Sequence, residues 1–172
     1  MIPPSAWVQV YLDQIPRSGR VLDLACGQGR HARLLAERGL EVLAVDRDPE
    51  ALAAMAGLPG ITTCCLDLEG LEWPLAGASF AGIVVTNYLW RPHLDALPGC
   101  LQAGGVLIYE TFMQGNARFG KPSNPDFLLQ PGELQRLAAR HGLEVLAFAE
   151  GEVDSPRPAV IQRVVARRPA AT

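Results

Sequence analysis

Residues Val21 to Gly39, VLDLACGQGRHARLLAERG, most narrowly constrain what this chain can fold into. The apolar run Val21 to Leu24 stops at the small-residue turn Ala25 to Gly29. An amphipathic stretch follows, with Ala32, Leu35 and Ala36 on one side. This order reads as strand, tight turn and helix, the first half of a βαβ unit, with Arg38-Gly39 as the helix stop. Gly27 and Gly29 let backbone amides approach a ligand, because neither carries a Cβ. The helix N-terminus then aims its free amides and partial positive charge at the same point. Asp23 places a carboxylate at the strand end, which repels a pyrophosphate but suits an ammonium group or sugar hydroxyls.

The string Asp23-Leu24-Ala25-Cys26-Gly27-Gln28-Gly29 resembles the acidic-x-Gly-x-Gly-x-Gly motif of the class I S-adenosylmethionine-dependent methyltransferases, with Ala25 in place of the first glycine. Cys26-Gly27-Gln28-Gly29-Arg30 is also similar to the tellurite-resistance and thiopurine methyltransferases. The resemblance implies S-adenosylmethionine as cofactor, with Asp23, Ala25, Gly27, Gly29 and Arg30 among the residues that bind it. Gly27-x-Gly29-x-x-Ala32 also fits the dinucleotide fingerprint, which would make the chain an NAD(P)-dependent oxidoreductase. Asp23 opposes that reading. A non-catalytic cofactor-binding module is the third reading, because no catalytic acid or base stands out.

The length of 172 residues suits one domain over 1–172, and 49% hydrophobic with 19% charged residues is the balance of a soluble globular protein. A net charge of -3 supplies no overall attraction to nucleic acid or to an anionic membrane. Cys26, Cys64, Cys65 and Cys100 lack C-x-x-C spacing, so no metal site is expected and they read as reduced thiols of a cytoplasmic protein. Met1-Ile2-Pro3-Pro4 carries no secretory signature, and no run of ~18 apolar residues suggests a membrane span.

In chain order, Ser5 to Ile15 has helical spacing with Ser5 as N-cap, and the resemblance puts Trp7 or Tyr11 near substrate. Glu41 to Val45 is the second strand. Asp46 follows at the spacing expected for an acidic residue that binds ribose hydroxyls, with Arg47 beside it in the candidate cofactor set. Asp48 caps a helix over Pro49 to Ala56. Ile61 to Leu66 is the third strand, and the resemblance assigns adenine reading to Asp67 and the Leu68 amide. Phe80 to Thr86 is a fourth strand of near-continuous apolarity, as expected when both sheet faces are covered.

Asn87 and Tyr88 occupy the position of the Asn-Pro-Pro-Tyr motif of amino-group methyltransferases, without its prolines. Asn87 joins the cofactor set. Tyr88, His93 and Glu110 are the catalytic candidates, His93 by its intrinsic pKa or else as the residue opening a helix over Leu94 to Leu101. Gly104-Gly105 precedes a fifth strand, Val106 to Tyr109. The long segment Met113 to Pro131 reads either as a lid offering Arg118 and Lys121 to an anion or as a solvated loop anchored by Phe119 and Phe127. Glu133 to His141 is a helix, and Leu143 to Ala149 with Ala159 to Ala166 form an antiparallel hairpin. The expected fold is α/β: a Rossmann-like, seven-stranded, mostly parallel sheet with one antiparallel strand and helices on both faces. The expected partner is a small-molecule methyl acceptor, with nucleic-acid and protein acceptors left open.

Overall fold

A computed structural model describes residues 2–171, so Met1 of the segment read for a leader lies outside it. Its seven-stranded sheet has β1 (Val21–Leu24), β2 (Val42–Asp46), β3 (Ile61–Cys65), β4 (Phe80–Thr86), β5 (Leu101–Phe112), β6 (Glu144–Val153) and β7 (Ala159–Arg167). The spatial order is β3-β2-β1-β4-β5-β7-β6. The chain moves outward one way from β1 through β3 and then returns to β4, so a crevice opens at the carboxyl ends of β1 and β4. β7 runs antiparallel to both β5 and β6, which leaves it the one reversed strand.

Side-chain alternation divides the core into two layers. Val21, Val42, Ala44 and Val84 meet α1 (Ala6–Tyr11), α2 (Arg30–Glu37) and α3 (Pro49–Ala53) through Val8, Leu35 and Leu52. Leu22, Leu24, Val45, Ile83 and Tyr109 face the other layer, closed by Leu134 and Leu137 of α4 (Glu133–Arg140) and by the connections around β4. Ser5 caps α1 as expected, its hydroxyl accepting from the Val8 amide. Asp48 caps α3 by accepting from the Glu50 amide, although this helix stops at Ala53.

The expected helix over Leu94 to Leu101 is absent. Two 3-10 turns, Arg91–Ala96 and Pro98–Cys100, carry the chain between β4 and β5. Pro98 lacks the amide an α-helix needs there, and Leu101 already pairs with Phe80 in the sheet. Phe119 and Phe127 are also not anchors of the 113–131 segment, being 43% and 40% exposed. Buried Met113, Asn116 and Leu129 hold it instead. Asn116 accepts from the Val160 amide at 3.0 Å and donates to the Pro122 carbonyl at 3.0 Å. Arg118 pairs with Glu152 and lies over the Phe119 ring. Among the described residues no helix is long and apolar enough to cross a membrane.

Candidate active site

Three left-handed residues bend the chain between β1 and α2: Ala25 at φ 53°, Gly27 at 56° and Gly29 at 90°. A methyl group at Ala25 makes its conformation the costly one, by about 1–2 kcal/mol. Asp46 fastens this turn to the end of β2. Its Oδ2 accepts from the Gly27 amide at 2.8 Å and its Oδ1 from the Asp48 amide at 3.0 Å. A carboxylate offers about four lone-pair sites, so acceptor capacity remains for a diol. Segment 25–31 lines a cleft of about 440 Å³ with Ile2, Thr86 and Asn87. That is the size range of a small-molecule site.

Asp23 lies one layer beneath, 2% exposed, with Oδ2 bonded to nothing. Burial raises its pKa to about 7, against the lowering effects of the Ala32 amide and the Arg30 charge. Such a carboxyl is held short of full ionisation by want of a partner and gains from any cation or donor that reaches it. Cys26 is no rival nucleophile, because burial and the Asp23 and Asp46 charges keep its thiol protonated.

His31 and Thr86 complete the cleft and carried no readable sequence signal. The Ser5 amide donates to His31 Nε2 at 3.0 Å, so the ring proton sits on Nδ1, 3.3 Å from Thr86 Oγ1. Arg30 reaches the Pro3 carbonyl at 2.8 Å, so the first turn of α2 pins the segment before α1. Burial, helped by Arg30, lowers the His31 pKa to about 3, below its ordinary 6.5. A base whose folded pKa is depressed costs stability as pH falls from its unfolded pKa toward its folded one. His31→Gln keeps an acceptor for Ser5 and a donor for Thr86 without the titration. Urea melts between pH 6.5 and 3.5 are therefore expected to show the variant losing less stability than the parent on acidification; equal losses would refute this role.

The remaining cofactor candidates sit at the ends of neighbouring strands. Arg47 pairs with Glu69 at 3.5 Å, Asp67 is exposed and accepts from the Glu69 amide at 2.9 Å, and Leu68 is buried. Asn87 is exposed at φ 55°, its amide donating to the Glu110 carbonyl at 2.9 Å.

The three catalytic candidates are divided between the two faces, and none lines the 440 Å³ cleft. Tyr88 and His93 lie on the Leu24 side, where His93 Nε2 donates to the Gly70 carbonyl at 2.7 Å. Glu110 points the other way, toward Ser5, Arg30 and Arg163, with burial raising its pKa. Burial first, then the Glu69 charge, push the Tyr88 phenol far above its ordinary range.

A family profile described as a methyltransferase domain matches residues 21–105, the segment carrying the turn, Asp46 and the β4 end. The chain is 33% identical over 135 residues to a trans-aconitate 2-methyltransferase of Streptomyces avermitilis, covering 70% of this chain and 48% of that one. It is 29% identical to a tRNA U34 carboxymethyltransferase of Methylococcus capsulatus, covering 74% and 45%. The chain spans less than half the length of these curated relatives. In fold it is similar to TehB from Haemophilus influenzae, with a TM-score of 0.75 at 21% identity over 94% of this chain and 61% of that one. With the turn and the sheet order already in place, the matched profile favours the methyl-donor reading over the dinucleotide one: residues 21–105 match a methyltransferase domain, and the chain is similar in fold to S-adenosylmethionine-dependent methyltransferases.

Proposed function

We propose that this chain transfers the methyl group of S-adenosylmethionine to a small-molecule nucleophile that arrives already ionised. The observation that carries the donor half is the buried, unpartnered Asp23 Oδ2 beneath the glycine turn. An α-ammonium group supplies the missing charge and hydrogens, whereas a pyrophosphate worsens the site. The Gly27 position, where an added Cβ meets nothing within 4 Å, leaves the turn open to a ligand backbone. Asp46 supports the ribose. S-adenosylmethionine supplies, when bound, an electrophilic methyl group on sulfur.

The acceptor half rests on what the cleft offers a proton. His31 is neutral with both nitrogens engaged, Cys26 stays a thiol, and the Arg30 guanidinium is tied to Pro3. Among the described residues that line the cleft, none is placed to serve as a general base. We therefore assign thiolates, carboxylates and similar anions as acceptors, with the protein acting by holding the two reactants together. Four free thiols and the reading of a reduced protein support a cytoplasmic setting.

Calorimetric titration with S-adenosylhomocysteine and with NAD and NADP tests the donor half. The parent is expected to bind the sulfur ligand and neither dinucleotide. Asp46→Ala is expected to weaken that binding about 10- to 100-fold, the loss of charge-assisted hydrogen bonds. Binding of a dinucleotide alone by folded protein would overturn the proposal.

A further inference from the structure

Among the described residues that line the 440 Å³ cleft, Thr86 at the end of β4 alone carries a hydroxyl. The direction of that hydroxyl is set from behind. The Ser5 amide donates to His31 Nε2 at 3.0 Å, so Nε2 carries no hydrogen and Nδ1 does. Nδ1 lies 3.3 Å from Thr86 Oγ1 and donates to it. His31 is buried, so no water competes for this contact. The Thr86 oxygen therefore accepts on the protein side and still has its own hydrogen to give. Asp23 does not take it, since its Oδ2 is bonded to nothing, and His31 is the one partner of Thr86 Oγ1 among the described residues.

Charge decides what can accept from Thr86. Glu110 stands opposite Thr86 in the β4–β5 register, and Arg163 stands opposite Glu110 in the β5–β7 register. The Glu110 carboxyl is turned to Ser5 and feels both Arg163 and Arg30. Neither arginine is neutralised: Arg30 reaches the uncharged Pro3 carbonyl, and Arg163 lies over the Trp7 ring with its Nε buried and unpartnered. Two positive charges thus surround one carboxyl on the Thr86 side, while Asp23 and Asp46 hold the negative charge on the side of the glycine turn. A cation is drawn to the turn, and an anion to Thr86.

We propose that Thr86 donates a hydrogen bond to the anionic, methyl-receiving atom of the acceptor, a thiolate or a carboxylate, and that His31 is the positioning residue that aims its hydroxyl into the cleft. This rests on the methyl-donor reading above and gives the acceptor of that reading a named contact. One fixed donor orients a lone pair without removing a proton, which is all that an acceptor arriving ionised requires.

Thiocyanate, a sulfur-ended anion, and acetate, a carboxylate, are titrated into protein saturated with S-adenosylhomocysteine, with the Asn87 and His31 backbone amides followed by NMR. The parent is expected to bind at least one of them saturably, and the one that binds names the acceptor class. Thr86→Val is expected to weaken that probe about tenfold or more, as when a hydrogen bond to a charged group is lost, and Thr86→Ser to keep it. His31→Gln still donates to Thr86 and is expected to keep the probe, whereas His31→Met is expected to lose it. Calorimetry is expected to give the same S-adenosylhomocysteine affinity for the parent and both Thr86 variants. Weaker S-adenosylhomocysteine binding by Thr86→Val would assign the hydroxyl to that ligand's own carboxylate and overturn the proposal. A parent that binds neither probe, or a Thr86→Val protein that binds as the parent does, overturns it as well. A His31→Gln protein that loses the probe as fully as His31→Met removes His31 from its positioning role. If His31→Met fails to fold, the two Thr86 variants decide. A folded parent that does not bind S-adenosylhomocysteine overturns the methyl-donor reading itself.

Discussion

Asp23→Asn is expected to produce a protein that is more stable than the parent at pH 8 and much poorer at binding S-adenosylhomocysteine. Asp23 has a folded pKa of about 7 against 3.8 for the free side chain. A carboxyl raised on folding costs nothing below pH ~4, where it is protonated in both states, and its full penalty above its folded pKa. The shift corresponds to up to about 4 kcal/mol at pH 8. The asparagine amide returns part of this, about 1–3 kcal/mol, if its hydrogens find no acceptor in the same buried site. The variant's advantage therefore grows from pH 4 to pH 7 and then levels off.

Affinity moves the opposite way. Losing the charge opposite an α-ammonium group is expected to weaken the sulfur ligand about 10- to 150-fold. In the parent, binding must first ionise Asp23, so affinity falls toward tenfold per pH unit as pH drops below 7. Urea melts across pH and calorimetry at pH 6, 7 and 8 check both halves. A variant less stable than the parent at pH 8, or one that binds as well, would remove Asp23 from the site. Stability given up at an empty carboxyl is what a binding site costs a small domain.

The parts of this molecule legible from sequence are those set by local chemistry. Val21 to Leu24, the left-handed Gly27 and Gly29 and the Asp48 cap follow from apolarity, missing Cβ atoms and a side chain reaching its own backbone, whereas the left-handed Ala25, which carries a Cβ, does not. β4 was delimited to the residue, because seven near-uniformly apolar positions between polar neighbours leave little latitude. Spacing singles out Asp46 as a ribose-binding candidate, but its grip on the Gly27 amide was not legible, since it spans a βαβ unit.

What escaped the sequence depends on contacts made far along the chain. His31 looks like an ordinary helix residue until Ser5 arrives to donate to it, 26 residues away in sequence. Phe119 and Phe127 suggested anchors by hydrophobicity, yet the small polar Asn116 does that work through two hydrogen bonds to backbone. The separation of the catalytic candidates was half readable. Tyr109 and Glu110 are consecutive in a strand and must face opposite ways. With Tyr109 donating to the Tyr88 carbonyl, Glu110 falls on the far side. The β4–β5 connection was misjudged because an apolar run after His93 fits an α-helix, while Pro98 and the pairing of Leu101 with Phe80 favour 3-10 turns.

The two glycines of the turn are expected to respond to alanine in opposite currencies. At Gly29 a Cβ would lie 2.1 Å from Met55 Sδ and 2.8 Å from its Cγ, at φ +90°. Met55 is fully buried against the α2 and α3 layer, so it has nowhere to retreat without disturbing Leu35 and Leu52. Left-handed strain of about 1–2 kcal/mol and overpacking of about 1–3 kcal/mol together put the cost of Gly29→Ala at about 2–5 kcal/mol. At Gly27 the same methyl meets nothing within 4 Å, at φ +56°, so only the conformational term of about 1–2 kcal/mol applies. That methyl, however, projects into the space a ligand must occupy, and Gly27→Ala is expected to weaken S-adenosylhomocysteine about tenfold or more while Gly29→Ala, where it stays folded, loses mainly stability. Chemical denaturation and calorimetry on the pair separate the two effects. Equal stability losses would refute the Met55 clash, and a Gly27→Ala protein that binds as the parent does would mean that the ligand lies elsewhere, because open space beside Gly27 has a purpose only if the turn itself touches what binds.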